Sequence, residues 1–462
     1  MKHREDTAGE ARKVHFLSLG CPKNLVDGEV MQGMLVRAGH ELVYDPALAD
    51  VLVVNTCSFI DEAKEESIDA ILDLSRYKQD GRASRLIVTG CLAERYGTVL
   101  RESMPEVDVF VGTGDFMALP KLLTADAPRP TYVGAQHVLP PSDAPRIQAT
   151  PFYTSFLKIA EGCNRTCSFC IIPKIRGRQE SRGIASLVDE ARRLADAGVR
   201  ELSLIAQDLT SYGTDRDDGA SLARLLEALL EVDGIEWFRL LYMYPQHVTD
   251  ELLRLVARED RICSYLDMPL QHGSDRMLRA MRRGSAGAGR RLRELVARIR
   301  DRVPGVVLRS SFIVGFPGET DDDFAELLDF LQDCRFERVG VFRYSHEEGT
   351  AAFGLDGQVP EKAKEARRAR AMKLQARIAR AANLTLVGEE LPVLVCGQLD
   401  NGQWYGRTQG QAADIDGVVL LRGKLEWEAG TIVPVKITRA STYDLEAAPL
   451  SPQPVAESAP AR

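Results

Sequence analysis

The sequence contains no apolar run near the roughly 18 residues that a membrane-spanning helix needs. Its first residues, MKHREDTAGEARK, also lack the apolar stretch of a secretory signal peptide. These absences exclude a membrane partner and predict a cytoplasmic location, where thiols stay reduced. The nine cysteines are therefore expected to be metal ligands, catalytic groups or buried residues rather than disulfides.

A fourth cysteine is missing from the most cysteine-rich stretch, EGCNRTCSFC, in which Cys163, Cys167 and Cys170 are separated by three and then two residues. A structural zinc site uses four ligands. Bacterial ferredoxins use uniform two-residue gaps and a fourth cysteine before a proline. Three neighbouring thiolates suit an iron–sulfur cluster. With four irons, one iron would lack a protein ligand and would be free to hold a substrate or cofactor.

The chain also lacks an excess of positive charge, and its formal net charge is −8. The whole chain therefore does not indicate nucleic-acid binding. Two arginine-rich stretches, 276–302 and 361–380, follow helical patterns. Solvated helix faces are the ordinary explanation for such stretches, and contact with phosphates is the alternative.

The spacing of apolar runs predicts an α/β protein with three domains. In 13–125, the predicted strands VHFLSL, VLVVN, RLIVTG and VDVFVG alternate with helical patterns such as FIDEAKEESIDAILDLSRY. This alternation predicts an open parallel α/β sheet. A proline-rich linker is predicted for 126–150.

Residues 151–383 repeat a strand-then-helix pattern, which predicts a full or partial parallel (β/α) barrel. The predicted strands are TSFLKIA, ELSLIAQ, WFRLLY, YLDMPL, GVVLRSSFIVG and RVGVFRYS. Residues 384–448 contain only short β-rich runs, namely ELPVLVCG, WYGRT, GVVLL and TIVPVKITRA. These runs predict a small antiparallel β-barrel. The composition of 449–462 predicts a disordered tail.

Three further cysteines, Cys21, Cys57 and Cys91, each follow a predicted strand of the first domain. Parallel strands end at one shared edge, where ligands bind, so these cysteines are expected to converge. The alternatives are separate buried cysteines, or a zinc or redox-thiol site. The remaining cysteines match no ligand pattern and are expected to be structural: Cys263, Cys334 and Cys396.

The cluster-loop spacing resembles that of the radical S-adenosylmethionine (SAM) superfamily, and EGCNRTCSFCIIPKIRG resembles its methylthiotransferase branch. The similarity extends over nearly the whole chain, including a terminal barrel that is similar to a TRAM domain. The phrases that carry it are SLGCPKNLVDGE, NTCSFIDEAKEESID, IAQDLTSYG, PLQHGSDRMLRAMRRG, SFIVGFPGET and GRTQGQAADIDGVV.

This resemblance implies two 4Fe–4S clusters. The one held by Cys163, Cys167 and Cys170 would bind SAM at its open iron and, on reduction, yield a 5′-deoxyadenosyl radical. An auxiliary cluster would carry the sulfur to be transferred, and SAM would thus serve as both radical source and methyl donor. The ligands implied for the auxiliary cluster are Cys21, Cys57 and Cys91.

The resemblance also implies polar contacts to SAM at the barrel mouth. Gln207 ends the strand ELSLIAQ, while Ser311 and Gly315 belong to SFIVGFPGET, which resembles the superfamily's glycine-containing strand near the adenine. A glycine permits close backbone approach, although packing explains a strand glycine equally well. Gln271 and His272, which end YLDMPLQH, are further candidates.

The phrase SLGCPKNLVDGE resembles the branch that modifies the β-carbon of an aspartate in the twelfth protein of the small ribosomal subunit. The branch that modifies isopentenyladenosine in tRNA, which is the alternative, typically has glutamine and methionine after this cysteine. A non-enzymatic ribosome-assembly or RNA-binding factor is disfavoured because it would not need six cluster cysteines. The implied partners are the ribosomal protein, free or ribosome-bound, a reducing electron donor and a sulfur source. The chain is expected to be a monomer.

The charge of the terminal barrel favours a protein substrate. Between positions 389 and 446 there are nine acidic and five basic residues. A negative surface attracts phosphates poorly but suits a basic ribosomal protein. Asp414 and Asp416 are predicted docking charges.

Overall fold

The computed structural model describes residues 11–123, 131–134, 139–141, 143–423 and 427–450. Parts of the predicted linker, and all of the predicted tail beyond residue 450, lie outside this range. Among the described helices, none is long and apolar enough to cross a membrane. The predicted α/β fold class is confirmed by two parallel sheets and a closed terminal barrel.

The first sheet has six parallel strands in the order β2-β1-β3-β4-β5-β6. Its strands are β1 (Lys13–Ser18), β2 (Glu41–Leu42), β3 (Val51–Thr56), β4 (Arg85–Gly90), β5 (Val109–Val111) and β6 (Thr131–Tyr132). Its helices are α1 (Pro22–Arg37), α2 (Asp61–Ser75), α3 (Cys91–Ser103) and α4 (Leu119–Leu122). Apolar residues of α1 and α4 pack on one face, and those of α2 and α3 pack on the other. The strand order reverses direction between β1 and β3, which is where such sheets bind ligands.

The second sheet has six strands in the order β14-β13-β12-β11-β10-β7, all paired in parallel. Its strands are β7 (Thr154–Lys158), β10 (Glu201–Ile205), β11 (Trp237–Leu240), β12 (Ile262–Asp267), β13 (Val307–Val314) and β14 (Arg338–Arg343). A short ribbon that the sequence did not predict, β8 (Ala160–Glu161) with β9 (Glu180–Ser181), follows β7. Because β7 and β14 are the outer strands of this sheet, the barrel is partial rather than closed.

The described part of the second segment contains eight α-helices, most of which cover the outside of the partial barrel, while the shortest packs against the first domain. They are α5 (Ile172–Ile175), α6 (Ile184–Asp196), α7 (Leu222–Leu230), α8 (Asp250–Arg258), α9 (Asp275–Ala280), α10 (Ala288–Arg302), α11 (Asp321–Cys334) and α12 (Glu361–Thr385). Threonine caps begin two of them: Thr249 accepts from the Leu252 amide, and Thr320 forms a capping box with Asp323. Such caps satisfy amide groups that have no partner within the helix.

The terminal segment forms a closed five-stranded barrel in the order β15-β16-β17-β19-β18. Its strands are β15 (Glu390–Gln398), β16 (Trp404–Arg407), β17 (Val419–Leu421), β18 (Ile432–Ala440) and β19 (Leu445–Pro449). The pairing of β17 with β19 is parallel, whereas the other pairings are antiparallel. The sequence did not predict β19, because LEAAP contains no β-branched or aromatic residue.

Ion pairs attach the terminal barrel to the amino-terminal ends of the parallel strands. Glu201, the first residue of β10, accepts hydrogen bonds from Arg239 at 2.7 Å and from Arg407 of the terminal barrel. Burial alone would raise the pKa of Glu201, but the two guanidinium groups lower it to about 2. Tyr265 donates a hydrogen bond to Asp416 at 2.7 Å. The opposite ends of the strands, where barrel active sites form, therefore face the first domain.

Candidate functional site

The first cysteine triad lies in the loop between β8 and α5, just beyond the carboxyl end of β7. Cys163 donates its amide to Gly177 O at 3.1 Å, and Cys170 donates its amide to Cys167 O at 3.2 Å. Burial raises the pKa of the Cys163 thiol, and it raises that of Cys170 to about 12, with Cys167 adding a smaller effect. The structure thus brings the three predicted thiols together in a partly buried loop.

Two arginines flank this triad. Arg283 Nη1 lies 3.7 Å from Cys167 Sγ, and the Arg165 amide donates to Cys163 Sγ at 3.4 Å. Both guanidinium groups stack on the ring of Tyr244, with centroid distances of 4.0 Å and 3.9 Å. Positive charge beside a thiol favours the thiolate, the form that binds metal. Arg283 and Arg165 were missed as site residues, and only their closeness to PLQHG and EGC could have indicated them.

The second triad forms at the carboxyl edge of the first sheet. Cys21 is the N-cap of α1 after β1, Cys57 follows β3, and Cys91 begins α3 after β4. Gly20 has φ +92°, and a Cβ at this position would lie 2.7 Å from Cys57 Cβ, so glycine is required for this approach. Asn24 ties the ends of β1 and β3 together by donating to Leu19 O at 2.6 Å and to Thr56 O at 3.3 Å.

The thiols of the second triad are held near helix amino termini. Burial raises the pKa of Cys57, and it raises that of Cys91 to about 12, against the effect of the nearby Arg176 guanidinium. The amino termini of α1 and α3 direct their partial positive charge toward Cys21 and Cys91.

The donor chemistry fits iron–sulfur clusters. All six cysteines are free thiols. Within the described residues, no three His, Cys, Asp or Glu side chains are arranged to hold a single metal ion. A 4Fe–4S cluster binds each cysteine through a different iron, so its thiolates surround the cluster instead of meeting at one ion. The other three cysteines join neither triad: Cys263 and Cys334 are buried in apolar clusters, and Cys396 is half-buried in β15.

A buried ion-pair network connects the two triads. Lys158 at the end of β7 binds Asp27 of α1 and, at 2.7 Å, Glu161. Arg176 binds Asp27 at 2.5 Å and Glu161 at 3.2 Å, and it also donates to Cys91 Sγ at 3.2 Å. These charged side chains are at most 5% exposed. Sequence reasoning missed this network, although the polar positions Asn24 and Asp27, three residues apart on one face of α1, were a signal.

A third buried cation, Lys23, lies close to the network and forms no ion pair with it among the described residues. Its Nζ lies 2.9 Å from the centroid of the Tyr242 ring. Burial lowers the pKa of Lys23 to about 8, and the nearby Cys21, Asp267 and Glu161 act in the opposite direction. Lys23 therefore keeps its positive charge at neutral pH.

The predicted SAM contacts fall into two groups. Gln207 lies beside the first triad, where its Nε2 donates to Glu161 and its buried Oε1 has no hydrogen-bond partner among the described residues. Such an orphaned acceptor fits a donor group of the cofactor. Ser311 O instead accepts from the Gln271 amide at 2.8 Å. These contacts to SAM stay predictions.

Gly315 and His272 are both linked to Glu319. Gly315 has φ +73°, and its amide donates to Glu319. A Cβ at Gly315 would collide with Lys364 of α12, so packing and backbone conformation already require glycine here. His272 is fully buried, with its Nε2 3.2 Å from Glu319 Oε1 and its Nδ1 accepting from the Ser274 amide at 2.9 Å. The buried contacts of His272 give it a structural role here.

A parallel partial barrel that carries a CxxxCxxC loop after its first strand defines a radical SAM enzyme. Family models agree with this class along the chain: "Uncharacterized protein family UPF0004" matches 13–112, "Radical SAM superfamily" matches 157–331 and "TRAM domain" matches 387–450. The chain is thus an enzyme that uses an iron–sulfur cluster and SAM.

Curated relatives narrow the class. Proteins described as "Ribosomal protein uS12 methylthiotransferase RimO" are 49% identical in Sorangium cellulosum (94% of this chain, 90% of the relative) and 48% identical in Geotalea uraniireducens (94% and 97%). A third, from Syntrophotalea carbinolica, is 48% identical over 96% of this chain and 98% of its own length. The chain belongs to this methylthiotransferase family. The tRNA-modifying alternative is not favoured.

The fold is also similar to a solved structure. TsrM from Kitasatospora setae, a radical SAM methyltransferase, superposes with a TM-score of 0.53 at 18% identity, covering 72% of this chain and 73% of that chain. At this identity the likeness concerns the fold alone.

Proposed function

We propose that this enzyme transfers a methylthio group to the β-carbon of an aspartate of ribosomal protein uS12, using two 4Fe–4S clusters. The observation that carries the proposal is the pair of thiol triads joined by one buried guanidinium. Arg176 reaches Cys91 of the second triad and also Glu161, two residues before Cys163 of the first.

Each triad would hold one cluster. Cys163, Cys167 and Cys170 hold the cluster that, with SAM bound, supplies a radical able to take hydrogen from an unactivated carbon. A C–H bond beside a carboxylate is not acidic enough for acid–base chemistry at neutral pH, so a radical suits this substrate. The ligands of the second cluster, which carries the sulfur, are Cys21, Cys57 and Cys91.

The side chains around the first triad would bind and shield the cofactor. Gln207 offers its free carbonyl oxygen to SAM, while Ser311 and Gly315 lie along its adenine side. Arg283 and the Arg165 amide stabilise thiolate at the cluster ligands. Tyr244, held between the two guanidinium groups, keeps water from this side of the loop.

The terminal barrel would dock the substrate protein. Asp400 and Asp414 are exposed, whereas Asp416 accepts hydrogen bonds from Tyr265 and from the Ala412 amide at 2.9 Å. Asp416 therefore has a structural role at the junction between the terminal barrel and the partial barrel, and Asp414 together with Asp400 is proposed to supply the docking charge. Because Arg407 is occupied by Glu201, the accessible charge of the barrel is more negative than its composition indicates. A basic ribosomal protein complements this surface.

We further propose a cytoplasmic monomer that depends on an external electron donor and sulfur source. The domains would be 13–125 for the auxiliary cluster, 126–150 as linker, 151–383 for the radical SAM core and 384–448 for the terminal barrel, followed by a tail at 449–462.

Two measurements test the proposal. Anaerobically reconstituted protein should contain about eight irons and eight sulfides, and changing either triad to alanine should halve both values. Mass spectrometry of ribosomal proteins and tRNA from a deletion strain should show loss of a methylthio group, about 46 Da, from uS12 alone. Loss from tRNA with uS12 unchanged would overturn the substrate assignment.

A further inference from the structure

Lys23 is a buried cation that is only 7% exposed. Within the described residues, no Asp or Glu oxygen lies within 4.0 Å of its Nζ. Its Nζ lies against the ring of Tyr242. The face of an aromatic ring offsets the free-energy cost of burying an ammonium group less completely than a carboxylate does.

Asp267 and Glu161, the two carboxylates whose charge acts on Lys23, are occupied by other groups. Asp267 binds Arg309 at 2.8 Å and accepts the Tyr242 amide at 3.0 Å. Glu161 belongs to the network between the triads. Neither carboxylate can turn toward Lys23 without leaving another buried cation or amide unpaired, which costs free energy.

The position of Lys23 in α1 adds to this cost. Lys23 is the second residue of α1, and the first turn of this helix contains no acidic residue. The amino terminus of a helix carries partial positive charge, which disfavours a cation and favours an anion. Burial, the helix end and the missing carboxylate all leave this site complementary to an anion that comes from outside the chain.

Two residues in loops at the mouth of the partial barrel, one of them the Tyr242 that contacts Lys23, have a strained backbone. Tyr242, in the loop after β11, has φ +63°, and Gln271, in the loop after β12, has φ +77°. Residues other than glycine rarely adopt this conformation, and such strain concentrates at ligand sites. Both loops lie at the carboxyl ends of the barrel strands, where the mouth faces the first domain.

We propose that Lys23 binds the side-chain carboxylate of the substrate aspartate and thereby selects an acidic residue for modification. This inference rests on the proposed function. The α-carboxylate of SAM has the same chemistry and is the other possible source of the anion. Lys23 is two residues from Cys21 of the sulfur-carrying triad, whereas the SAM that supplies the radical is assigned to the first triad, and this position favours the substrate.

The test compares the reconstituted wild-type enzyme with Lys23→Met and Lys23→Arg. Each is titrated with purified uS12, with uS12 carrying asparagine in place of the target aspartate, and with SAM. Lys121→Met, which removes an exposed lysine of the first domain, controls for net charge. Iron content and visible absorption show whether both clusters are intact.

The wild type should bind uS12 about tenfold or more tightly than its asparagine variant, because a hydrogen-bonded ion pair is lost. Lys23→Met should keep both clusters but bind uS12 and its asparagine variant with equal affinity. Lys23→Arg should restore part of the preference for the aspartate form. Lys121→Met should show the full wild-type preference. Retained preference in Lys23→Met, weakened binding of SAM alone, or loss of a cluster would each overturn the inference. A wild-type enzyme that neither binds nor modifies uS12 would instead overturn the proposed function.

Discussion

Arg176 donates a hydrogen bond to Cys91 Sγ at 3.2 Å, although the two residues are 85 positions apart in the chain. The same guanidinium pairs with Asp27 and Glu161. One side chain therefore fixes a predicted cluster ligand of the first domain against the cluster loop of the barrel.

We expect Arg176→Met to destabilise the protein by about 3 to 5 kcal/mol, because two buried carboxylates lose a partner. Thermal and urea unfolding of the apoprotein measure this change. Arg192→Met, which breaks an exposed pair with Asp189, should cost less than about 1 kcal/mol. Equal stability of the two variants would contradict a structural role for the network.

The two triads should have separable roles. Cys57→Ala should abolish methylthio transfer but leave reductive cleavage of SAM, whereas Cys167→Ala should abolish that cleavage, because the triads hold different clusters. Chromatography of 5′-deoxyadenosine and mass spectrometry of uS12 measure the two activities. Cys334→Ala, which changes a buried cysteine outside both triads, should keep both activities. Equal loss of cleavage in both triad variants, each with its other cluster intact, would disprove the separation.

The attachment of the terminal barrel should depend on pH through Glu201. The pKa of this carboxyl is lowered from 4.5 to about 2, so its contribution is full above pH 4.5 and is lost as the pH falls through its folded pKa. Glu201→Gln should cost on the order of 3 kcal/mol at neutral pH, and the difference from wild type should narrow below pH 4.5. Thermal unfolding of wild type and Glu201→Gln from acidic to neutral pH measures this difference in stability. Glu294→Gln, in an exposed pair with Arg290, should show little effect, and a pH-independent difference would refute the assignment.

Substitutions at Gly315 and Gly305 allow the energetic cost of backbone strain to be separated from the cost of a steric clash. Their φ values are +73° and +75°, but a Cβ would meet Lys364 at Gly315 and nothing within 4 Å at Gly305. Gly305→Ala should cost about 1 to 2 kcal/mol, and Gly315→Ala should cost more. Urea midpoints measure both. The predicted cofactor contact is tested by measuring the SAM affinity of Gly315→Ala under conditions in which this variant is folded. An unchanged affinity would contradict the contact.

Charge reversal on the terminal barrel should weaken substrate docking. Asp400→Lys with Asp414→Lys should lower uS12 affinity about three- to tenfold at low salt, and the loss should shrink as salt screens the charges. Binding titrations over a salt series measure this. Asp329→Lys, at an exposed position on α11, is the control. A loss that does not change with salt would argue against electrostatic docking.

The sequence was sufficient to predict the four central strands of the first sheet, all six strands of the second sheet and the convergence of Cys21, Cys57 and Cys91. Alternating apolar runs and helical patterns identify parallel strands, and parallel strands end at one edge. The cysteine positions therefore follow from topology, without any knowledge of side-chain contacts.

The charged groups between the triads could not be predicted in this way. Lys158 and Arg176 lie 131 and 149 residues from Asp27. Charged residues are normally exposed, and only a partner from a distant segment makes their burial acceptable. For the same reason, the sequence alone indicated a surface charge at Asp416, whereas its carboxylate accepts a hydrogen bond from the distant Tyr265.

The network between the triads also limits how interchangeable the domains are among relatives. Asp27 comes from the first domain, while Lys158, Glu161 and Arg176 come from the barrel. The charges balance only when both halves are present. A chimera with a first domain that lacks the carboxylate would bury a surplus cation at the junction, at a cost of several kcal/mol. The two halves are therefore expected to be inherited together.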